Sequence, residues 1–295
     1  MSTLQNDRLI CRGVKYMVRK QIMTAKNIYL TALRWSSLLV AIFFFVGLSP
    51  AEENTQKSDL DLRVLCYNVH HCEGMDDKID IDRIASVILS QKPDVVFLQE
   101  IDNKTTRTGQ VDQAKELERL TKLTTIFGKT IDYQGGEYGL AIMTRFPVLE
   151  KGMSFLPLCE DHEQRGVLRA VVEVSPTQKL VLLCTHLSHI GTPEKRVAQA
   201  QKINELFGKN ETPTILAGDF NAEPDSEVYQ AIAEKWVNAT DNEQKTLGVP
   251  VPSSKIDYIF YRPDASFSLV ETKVIIEPVA SDHHPVFSIL RLNVK

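Results

Sequence analysis

The feature that most constrains this chain is an alternation of short apolar runs with amphipathic, helix-like segments. Residues 62–68 and 95–100 form apolar runs of strand length, which are typical of buried strands when polar or turn residues bound them. Between these runs, apolar residues of segment 81–88 recur at helical spacing, with Asp80 placed as an N-cap and Pro93 beyond the end. The strand–helix–strand order predicts a crossover unit and therefore an α/β fold.

The same rhythm continues through the second half of the sequence. Further strands are predicted at 139–144, 167–174, 180–185, 214–217, 256–261 and 285–292, and further helices at 111–125, 194–207 and 226–235. Each half contains a strand, a helix and a strand that ends in a carboxylate. This similarity suggests a two-layered, pseudo-symmetric core.

Polar side chains stand where the apolar runs end. The set is Asn68, Glu100, His186, Asp219, Asn221, Asp257, Asp282 and His283. Turn chemistry explains any single Asp or Asn, but Glu and His are not favoured turn residues. Because ligands of α/β sheets bind beyond the carboxyl ends of the strands, we expect these side chains to share one site.

Seven short motifs, in their order and spacing, resemble the endonuclease/exonuclease/phosphatase superfamily, which includes DNase I. They are YN at 67–68, LQE at 98–100, GLAIMTRFP at 139–147, CTHL at 184–187, AGDFN at 217–221, KIDYIF at 255–260 and SDHHP at 281–285. The resemblance extends over about 62–290. It implies a four-layer α/β/β/α sandwich, with two packed mixed sheets flanked by helices. It also implies a metal-dependent phosphoesterase whose active site lies at one end of the sheets.

The resemblance assigns a metal site to three residues. Glu100 is the expected primary ligand, and Asn68 and Asp282 are expected to help hold the ion or its waters. Hard divalent ions take oxygen ligands, and Mg²⁺ is commonly bound by one or two carboxylates. The expected cofactor is therefore Mg²⁺ or Mn²⁺.

The remaining members of the set are assigned to proton transfer and phosphate contact. By resemblance, Asp219 polarises the attacking water, Asn221 positions that water or the phosphate, and His186 contacts phosphate. His283 is a second candidate for proton transfer because its ordinary pKa lies near neutrality. Asp257 matches the carboxylate that orients this histidine. Both Asp219 and His283 remain candidates for the general base.

Two residues outside the motif ends are candidate substrate contacts. Arg107 follows Glu100 closely, and Tyr138 precedes the GLAIMTRFP motif. A solvated loop arginine and a packing tyrosine are the alternative interpretations.

Other histidines are not assigned to the site. The run His70-His71-Cys72 invites a transition-metal hypothesis, but adjacent histidines on a strand point to opposite faces and the run lacks zinc-ligand spacing. His189 and His284 are interpreted as bystanders or rim residues.

The first fifty residues predict export. Residues 1–51 carry seven Lys or Arg against one Asp, followed by the uncharged run LLVAIFFFVGL at 38–48. This run is shorter than the about 20 residues that span a bilayer, so it predicts a signal peptide cleaved after Ala51. Met23 is the alternative start of the chain. An uncleaved signal anchor is the alternative. Residues 52–60 are predicted to be a disordered lead-in and 61–295 the catalytic domain.

The chain without residues 1–51 is acidic. It has 27 Lys and Arg against 37 Asp and Glu, a net charge of about −10, which argues against a stable nucleic-acid partner because duplex binding needs clustered basic residues. The predicted function is therefore an exported hydrolase of a phosphodiester, small or lipid-derived, with no membrane span after cleavage. A secreted nuclease and a non-catalytic phosphate-binding protein are the alternatives.

In an oxidising compartment Cys72 and Cys159 could pair, although nothing in the sequence fixes their distance.

Overall fold

Two six-stranded mixed sheets form the centre of the molecule. The structure, a computed structural model, describes residues 59–158, 163–209 and 211–293. The predicted signal peptide lies outside the described residues, as does most of the predicted lead-in. The first strand begins at Leu60, so the last residue of the predicted lead-in belongs to the sheet.

In chain order, the elements are β1 (Leu60–Asn68), a 3₁₀ turn (His70–Cys72), α1 (Ile81–Ser90), β2 (Val95–Asn103), α2 (Gln113–Thr121), β3 (Thr124–Tyr133), β4 (Gly136–Thr144), β5 (Val148–Phe155), β6 (Gly166–Ser175), β7 (Gln178–His186), α3 (Pro193–Phe207), β8 (Thr214–Asp219), α4 (Glu227–Ala233), β9 (Val237–Asn238), β10 (Asp257–Arg262), a second 3₁₀ turn (Asp264–Ser266), β11 (Phe267–Val274) and β12 (Val286–Leu292). The first sheet has the order β11-β12-β1-β2-β4-β3, and the second has the order β5-β6-β7-β8-β10-β9.

Each sheet has one parallel pair at its centre. β1 pairs with β2 in the first sheet, and β7 pairs with β8 in the second. Parallel neighbours need a crossover connection, and α1 and α3 supply it. The predicted crossover unit is thus present twice, once in each half of the chain.

Three apolar clusters arrange the elements in four layers. The inner cluster joins the facing sides of the two sheets, with Phe97 from the first and Leu182 from the second. A second cluster packs α3 and α4 against the outer side of the second sheet, and a third packs α1 and α2 against the outer side of the first. This architecture confirms the predicted α/β/β/α sandwich.

Local sequence explains where the helices begin. The side chain of Asp80 accepts a hydrogen bond from the amide of Arg83, which confirms the predicted N-cap of α1. Ser226 caps α4 in the same way. Pro193 stands at the first helical position of α3, where its missing N–H costs nothing.

The predicted helix at 111–125 is too long. The helix α2 ends at Thr121 because Lys122 adopts a left-handed conformation, with φ of 63°, and closes the last turn. The chain then enters β3, in which Ile126, Gly128 and Thr130 alternate as buried residues. Strands β5, β9 and β11 were also missed; β5 and β11 are largely exposed edge strands without apolar periodicity.

Among the residues that the structure describes, no helix is both long and apolar enough to cross a bilayer.

Candidate functional site

Strand register brings three polar side chains of the second sheet to one level. In β8, Asp219 is the register partner of His186 in β7 and of Asp257 in β10. Register partners on neighbouring strands project from the same face of a sheet. All three residues are buried, and both aspartates are only 1% exposed. The sheet itself, rather than any loop, therefore assembles this group.

The first sheet contributes Asn68 from the end of β1 and Glu100 from within β2, which continues to Asn103 beyond the predicted strand end. The register of β2 shifts between Leu98 and Ile101, and Glu100 within this bulge has a φ of 63°. Bulges re-aim side chains next to functional sites, and a positive φ is costly for a residue with a Cβ. The strained backbone turns the half-buried carboxylate of Glu100 out of the regular ladder.

The amide of Asn68 connects the two sheets. Its Nδ2 donates to Oε1 of Glu100 at 3.0 Å and to Oδ2 of Asp219 at 3.1 Å. Its Oδ1 accepts the backbone N–H of His70 at 3.1 Å. Asn68 thus holds the two carboxylates at a fixed separation, and its role as a metal ligand stays a prediction.

A short loop seats His283 between two carboxylates. Its Nδ1 lies 2.9 Å from Oδ2 of Asp257, and its Nε2 lies 3.7 Å from Oδ2 of Asp219. Ser281 fixes this loop because its hydroxyl donates to the carbonyl oxygen of Asn68 and accepts the N–H of His283. The hydroxyl of Ser281 also lies 3.3 Å from Oδ1 of the partly exposed Asp282.

The pKa values in this group move in directions suited to acid–base chemistry. Burial alone would lower the pKa of His283, but the carboxylates of Asp257, Asp219 and Asp282 outweigh it and raise the pKa to about 10. Burial, followed by the charge of Asp257, raises the pKa of Asp219 to about 7. The histidine is therefore cationic at neutral pH, while Asp219 can exchange a proton there.

Neighbouring groups complete the surroundings of Asp219. Burial, followed by the charges of Arg165 and His283, lowers the pKa of His186, so this ring is neutral; its Nε2 lies 3.5 Å from Oδ2 of Asp219. Asn221, with a φ of 48°, donates its backbone N–H to Oδ1 of Asp219 and its side-chain Nδ2 to the carbonyl oxygen of Leu187. These contacts fix the orientation of the carboxylate.

The donor set at this end of the sheets fits a hard divalent cation. Ligand atoms of Asp219, Asp257 and His283 lie within 4.8 Å of one another. Oδ1 of Asp257 is buried and has no hydrogen-bond partner within the described part of the chain. Glu100 adds a carboxylate on the other side of Asn68. Oxygen ligands of this kind suit Mg²⁺ and Mn²⁺. The predicted ligand roles of Glu100 and Asp282 stay predictions.

A cleft with a volume of about 130 Å³ opens beside Glu100. We call it the arginine cleft and define it by Arg107, Tyr133, Tyr138, Glu163, Arg165 and His189. The structure thus places both candidate substrate contacts, Arg107 and Tyr138, in the same cleft. Sequence reasoning missed the other four as site residues, because they come from β3, from the segment before β6 and from the loop after β7.

The reasoning used to set the other histidines aside needs correction. His70 and His71 lie in a 3₁₀ turn with positive φ values, not on a strand, and their rings lie 4.4 Å apart. His189, interpreted as a bystander or rim residue, lines the arginine cleft, and its Nδ1 lies 3.2 Å from Nη2 of Arg165. Cys72 is a buried free cysteine, and Cys159 lies outside the described residues.

Two buried residues behind the catalytic group were not singled out from the sequence. The hydroxyl of Thr246 accepts the N–H groups of Ile256 and Asp257, each at 3.2 Å. The ammonium of Lys255 donates to the carbonyl oxygen of Asp257 at 2.5 Å and is only 1% exposed. A lysine directly before a buried apolar strand was the available clue to the second of them.

Comparison with known proteins agrees with this geometry. Residues 65–283 match the model of the Endonuclease/Exonuclease/phosphatase family. No curated protein gives a significant match to the chain.

Solved structures show the same fold. A family protein from Beutenbergia cavernae is 26% identical with a TM-score of 0.65, covering 79% of this chain and 72% of its own. A mannosyl-6-phosphatase from Bacteroides thetaiotaomicron is 21% identical with a TM-score of 0.62, covering 78% of this chain and 99% of its own. The human Nocturnin catalytic domain is 21% identical with a TM-score of 0.61, covering 80% of this chain and 96% of its own.

The contact between His283 and Asp257 predicts a measurable change in titration. In Asp257→Asn, the pKa of His283 should fall by more than about one unit, because the main carboxylate that raises it is lost while burial still favours the neutral ring. Imidazole ¹⁵N NMR of the chelator-treated protein, followed across neutral and alkaline pH, measures this shift. Asp225→Asn, in an exposed position, is the matched control.

The same variant should alter the pH dependence of stability. A pKa raised in the folded state stabilises the protein below the unfolded value of about 6.5, and this contribution is lost as the pH rises toward the folded value. Urea unfolding of Asp257→Asn should therefore depend less on pH over that window than wild type does. A wild-type titration of His283 in Asp257→Asn would contradict the assignment.

Proposed function

Because this chain belongs to the endonuclease/exonuclease/phosphatase family, a family of phosphoesterases, we propose that it is a metal-dependent hydrolase of a small or lipid-derived phosphodiester. One observation carries the proposal. The buried carboxylate of Asp219 has a pKa raised to about 7 and is surrounded by Asn68, His186 and His283. A carboxylate in this state can accept a proton from water near neutral pH.

Asp219 is the proposed general base. Its raised pKa is matched to proton transfer near neutrality, whereas His283 already carries a proton there. The contacts from Asn68 and from the backbone of Asn221 hold both carboxylate oxygens in place. Water activated by Asp219 attacks phosphorus in line with the leaving oxygen, so no covalent enzyme intermediate is needed.

The cationic ring of His283 is proposed to stabilise charge on the phosphoryl oxygens. Asp257 binds its Nδ1 and so leaves Nε2 directed toward Asp219 and the reacting group. Preorganised positive charge in a buried site is more effective than in water. The neutral ring of His186, on the other side of Asp219, is the proposed hydrogen-bond donor to phosphate.

Glu100, with Asn68 and Asp282, is proposed to hold Mg²⁺ or Mn²⁺. When bound, such an ion neutralises phosphoryl charge as a Lewis acid. The position of Glu100 on the wall of the open cleft and its contact with Asn68 support this assignment.

Charge and cleft size support a small substrate. The arginine cleft is compact, as in sites for small ligands, and the chain beyond residue 51 is acidic. Nucleic-acid binding would favour an extended basic surface. The solved relative from Bacteroides thetaiotaomicron is named for a sugar phosphate, which is also a small substrate.

Export is part of the proposal. The basic segment followed by the apolar run at 38–48 and by Ser49-Pro50-Ala51 supports cleavage after Ala51.

Activity measurements test the chemistry directly. With Mg²⁺ or Mn²⁺, the protein should hydrolyse bis-p-nitrophenyl phosphate faster than p-nitrophenyl phosphate. Asp219→Asn should lower kcat/KM by about 10²–10⁴-fold, since the general base is removed. Asp225→Asn should retain the wild-type value. Full activity of Asp219→Asn would refute the proposed base, and faster cleavage of plasmid DNA than of the small diester would favour a nuclease.

Metal binding tests the role of Glu100 without reference to turnover. Calorimetric titration with Mn²⁺ should show binding to the wild-type protein and an affinity at least about tenfold lower in Glu100→Gln, because a ligating carboxylate is lost. The exposed Glu234→Gln is the control. Equal affinities of Glu100→Gln and wild type would place the metal elsewhere.

Export predicts a defined N-terminus. Mass spectrometry of the protein recovered from the cells that naturally produce it should identify Glu52 as its first residue. Recovery of the intact segment 24–51 on the mature protein would instead support a retained anchor.

A further inference from the structure

The arginine cleft lies directly beside the proposed catalytic group and is not used by the proposed chemistry. It shares Glu100 with the metal site and extends away along Tyr138, Arg107 and Arg165. The volume of the cleft is about 130 Å³, which is below the range of sites for drug-sized ligands, so the cleft has room for one small substituent of the substrate. A group attached to the scissile phosphate would therefore reach it.

Both guanidinium groups of the cleft are already neutralised. Arg107 forms two hydrogen bonds with the buried carboxylate of Asp102, at 2.7 and 2.9 Å. Arg165 lies 3.1 Å from a carboxylate oxygen of Glu163. With Glu100 assigned to the proposed metal site, the fixed charges left to the cleft are two arginines and the two carboxylates that pair with them, which balance. A second phosphate on the substrate would therefore meet no excess of positive charge.

The cleft nevertheless retains hydrogen-bonding capacity of both kinds. Nε of Arg165, in a side chain only 3% exposed, has no hydrogen-bond partner among the described residues. Arg165 donates to Nδ1 of His189, so a neutral His189 carries its proton on Nε2. Glu163 remains partly exposed as an acceptor.

The aromatic residues make the cleft rigid and add another donor. The guanidinium of Arg107 lies 4.7 Å from the ring centre of Tyr133 and 5.6 Å from that of Tyr138. Burial, followed by the charge of Glu100, raises the pKa of Tyr138, so its hydroxyl keeps its proton. Arg107 is thus fixed by Asp102 on one side and by two rings on another.

We propose that the arginine cleft binds a neutral, polyhydroxylated ring carried by the substrate on its phosphodiester. A hydroxyl group both donates and accepts, which matches alternating guanidinium and carboxylate groups better than a second anion does. The inference rests on the proposed function and narrows its substrate to phosphodiesters of a cyclic polyol. Arg165 is the residue that selects for this ring.

Three esters with one leaving group test the inference. They are the p-nitrophenyl phosphodiesters of ethanol, of myo-inositol and of 3-hydroxypropionate, which present an apolar, a polyol and an anionic arm. The wild-type kcat/KM should be at least about tenfold higher for the inositol ester than for the ethyl ester, because sites built to bind hydroxyl groups discriminate against substrates that lack them.

Variants locate the preference within the cleft. The ratio of inositol to ethyl kcat/KM should fall toward one in Arg165→Met, and it should fall in part in Tyr138→Phe, which removes only a hydroxyl group. Arg169→Met is the matched control, because Arg169 lies in β6, which directly follows Arg165, but pairs with Glu150 outside the cleft. The wild-type ratio should persist in this control. Thermal unfolding verifies that each variant is folded. If Arg165→Met does not fold, the ratio measured for Tyr138→Phe decides whether the cleft causes the preference.

The outcomes separate this inference from the proposed function. Equal rates with the ethyl and inositol esters, or a preference for the anionic ester, would overturn the polyol site while leaving the phosphodiesterase intact. Hydrolysis of none of the esters would refute the proposed function instead. In that case, saturation-transfer NMR with free myo-inositol tests whether the cleft binds a polyol. Saturation transfer from the wild-type protein that is lost in the folded cleft variant would support the polyol site, and no transfer from the wild-type protein would overturn it.

Discussion

The burial of the Asp219 carboxylate where the two sheets meet is the constraint on which the site depends. An ionised carboxylate removed from water is costly unless hydrogen bonds or opposite charge compensate it. Here the compensation comes from both sheets: Asn68 donates from the first sheet, His283 approaches from the loop between β11 and β12 of that same sheet, and His186 approaches from the second sheet. The chemistry of the site therefore requires the sandwich to be closed, because neither sheet supplies these partners alone.

Burial also determines which groups of the site carry a proton. Two buried carboxylates, Asp219 and Asp257, share the surroundings of one imidazole, and the proton resides most firmly on His283. Asp257 binds this ring directly, whereas Asp219 lies further from it and retains a pKa near neutrality. The two aspartates have the same side chain and different surroundings, which supports the proposed roles of Asp257 as an orienting anion and of Asp219 as a proton acceptor.

The sequence predicted the central strands and the site at their ends, for one reason. Strands such as β7 and β8 are covered on both faces, so nearly every residue is apolar and the first polar residue marks the strand end. Strands β5 and β11 lie at sheet edges with polar, exposed faces and gave no comparable pattern. The boundary of α2 was misplaced because a left-handed residue, Lys122, ends the helix without a glycine.

The sequence predicted only two members of the arginine cleft, Arg107 and Tyr138, for a different physical reason. Tyr133 and Tyr138 lie on the paired strands β3 and β4, but the other four members come from three separate loops that no strand register relates. Side-chain contacts hold the cleft residues in place, such as those of Arg107 with Asp102 and of Arg165 with His189. In the proposed function, the reaction class thus depends on strand ends that the sheet aligns, whereas the choice of substrate depends on contacts between loops. The same sandwich can therefore keep its hydrolytic group while the neighbouring cleft changes its ligand.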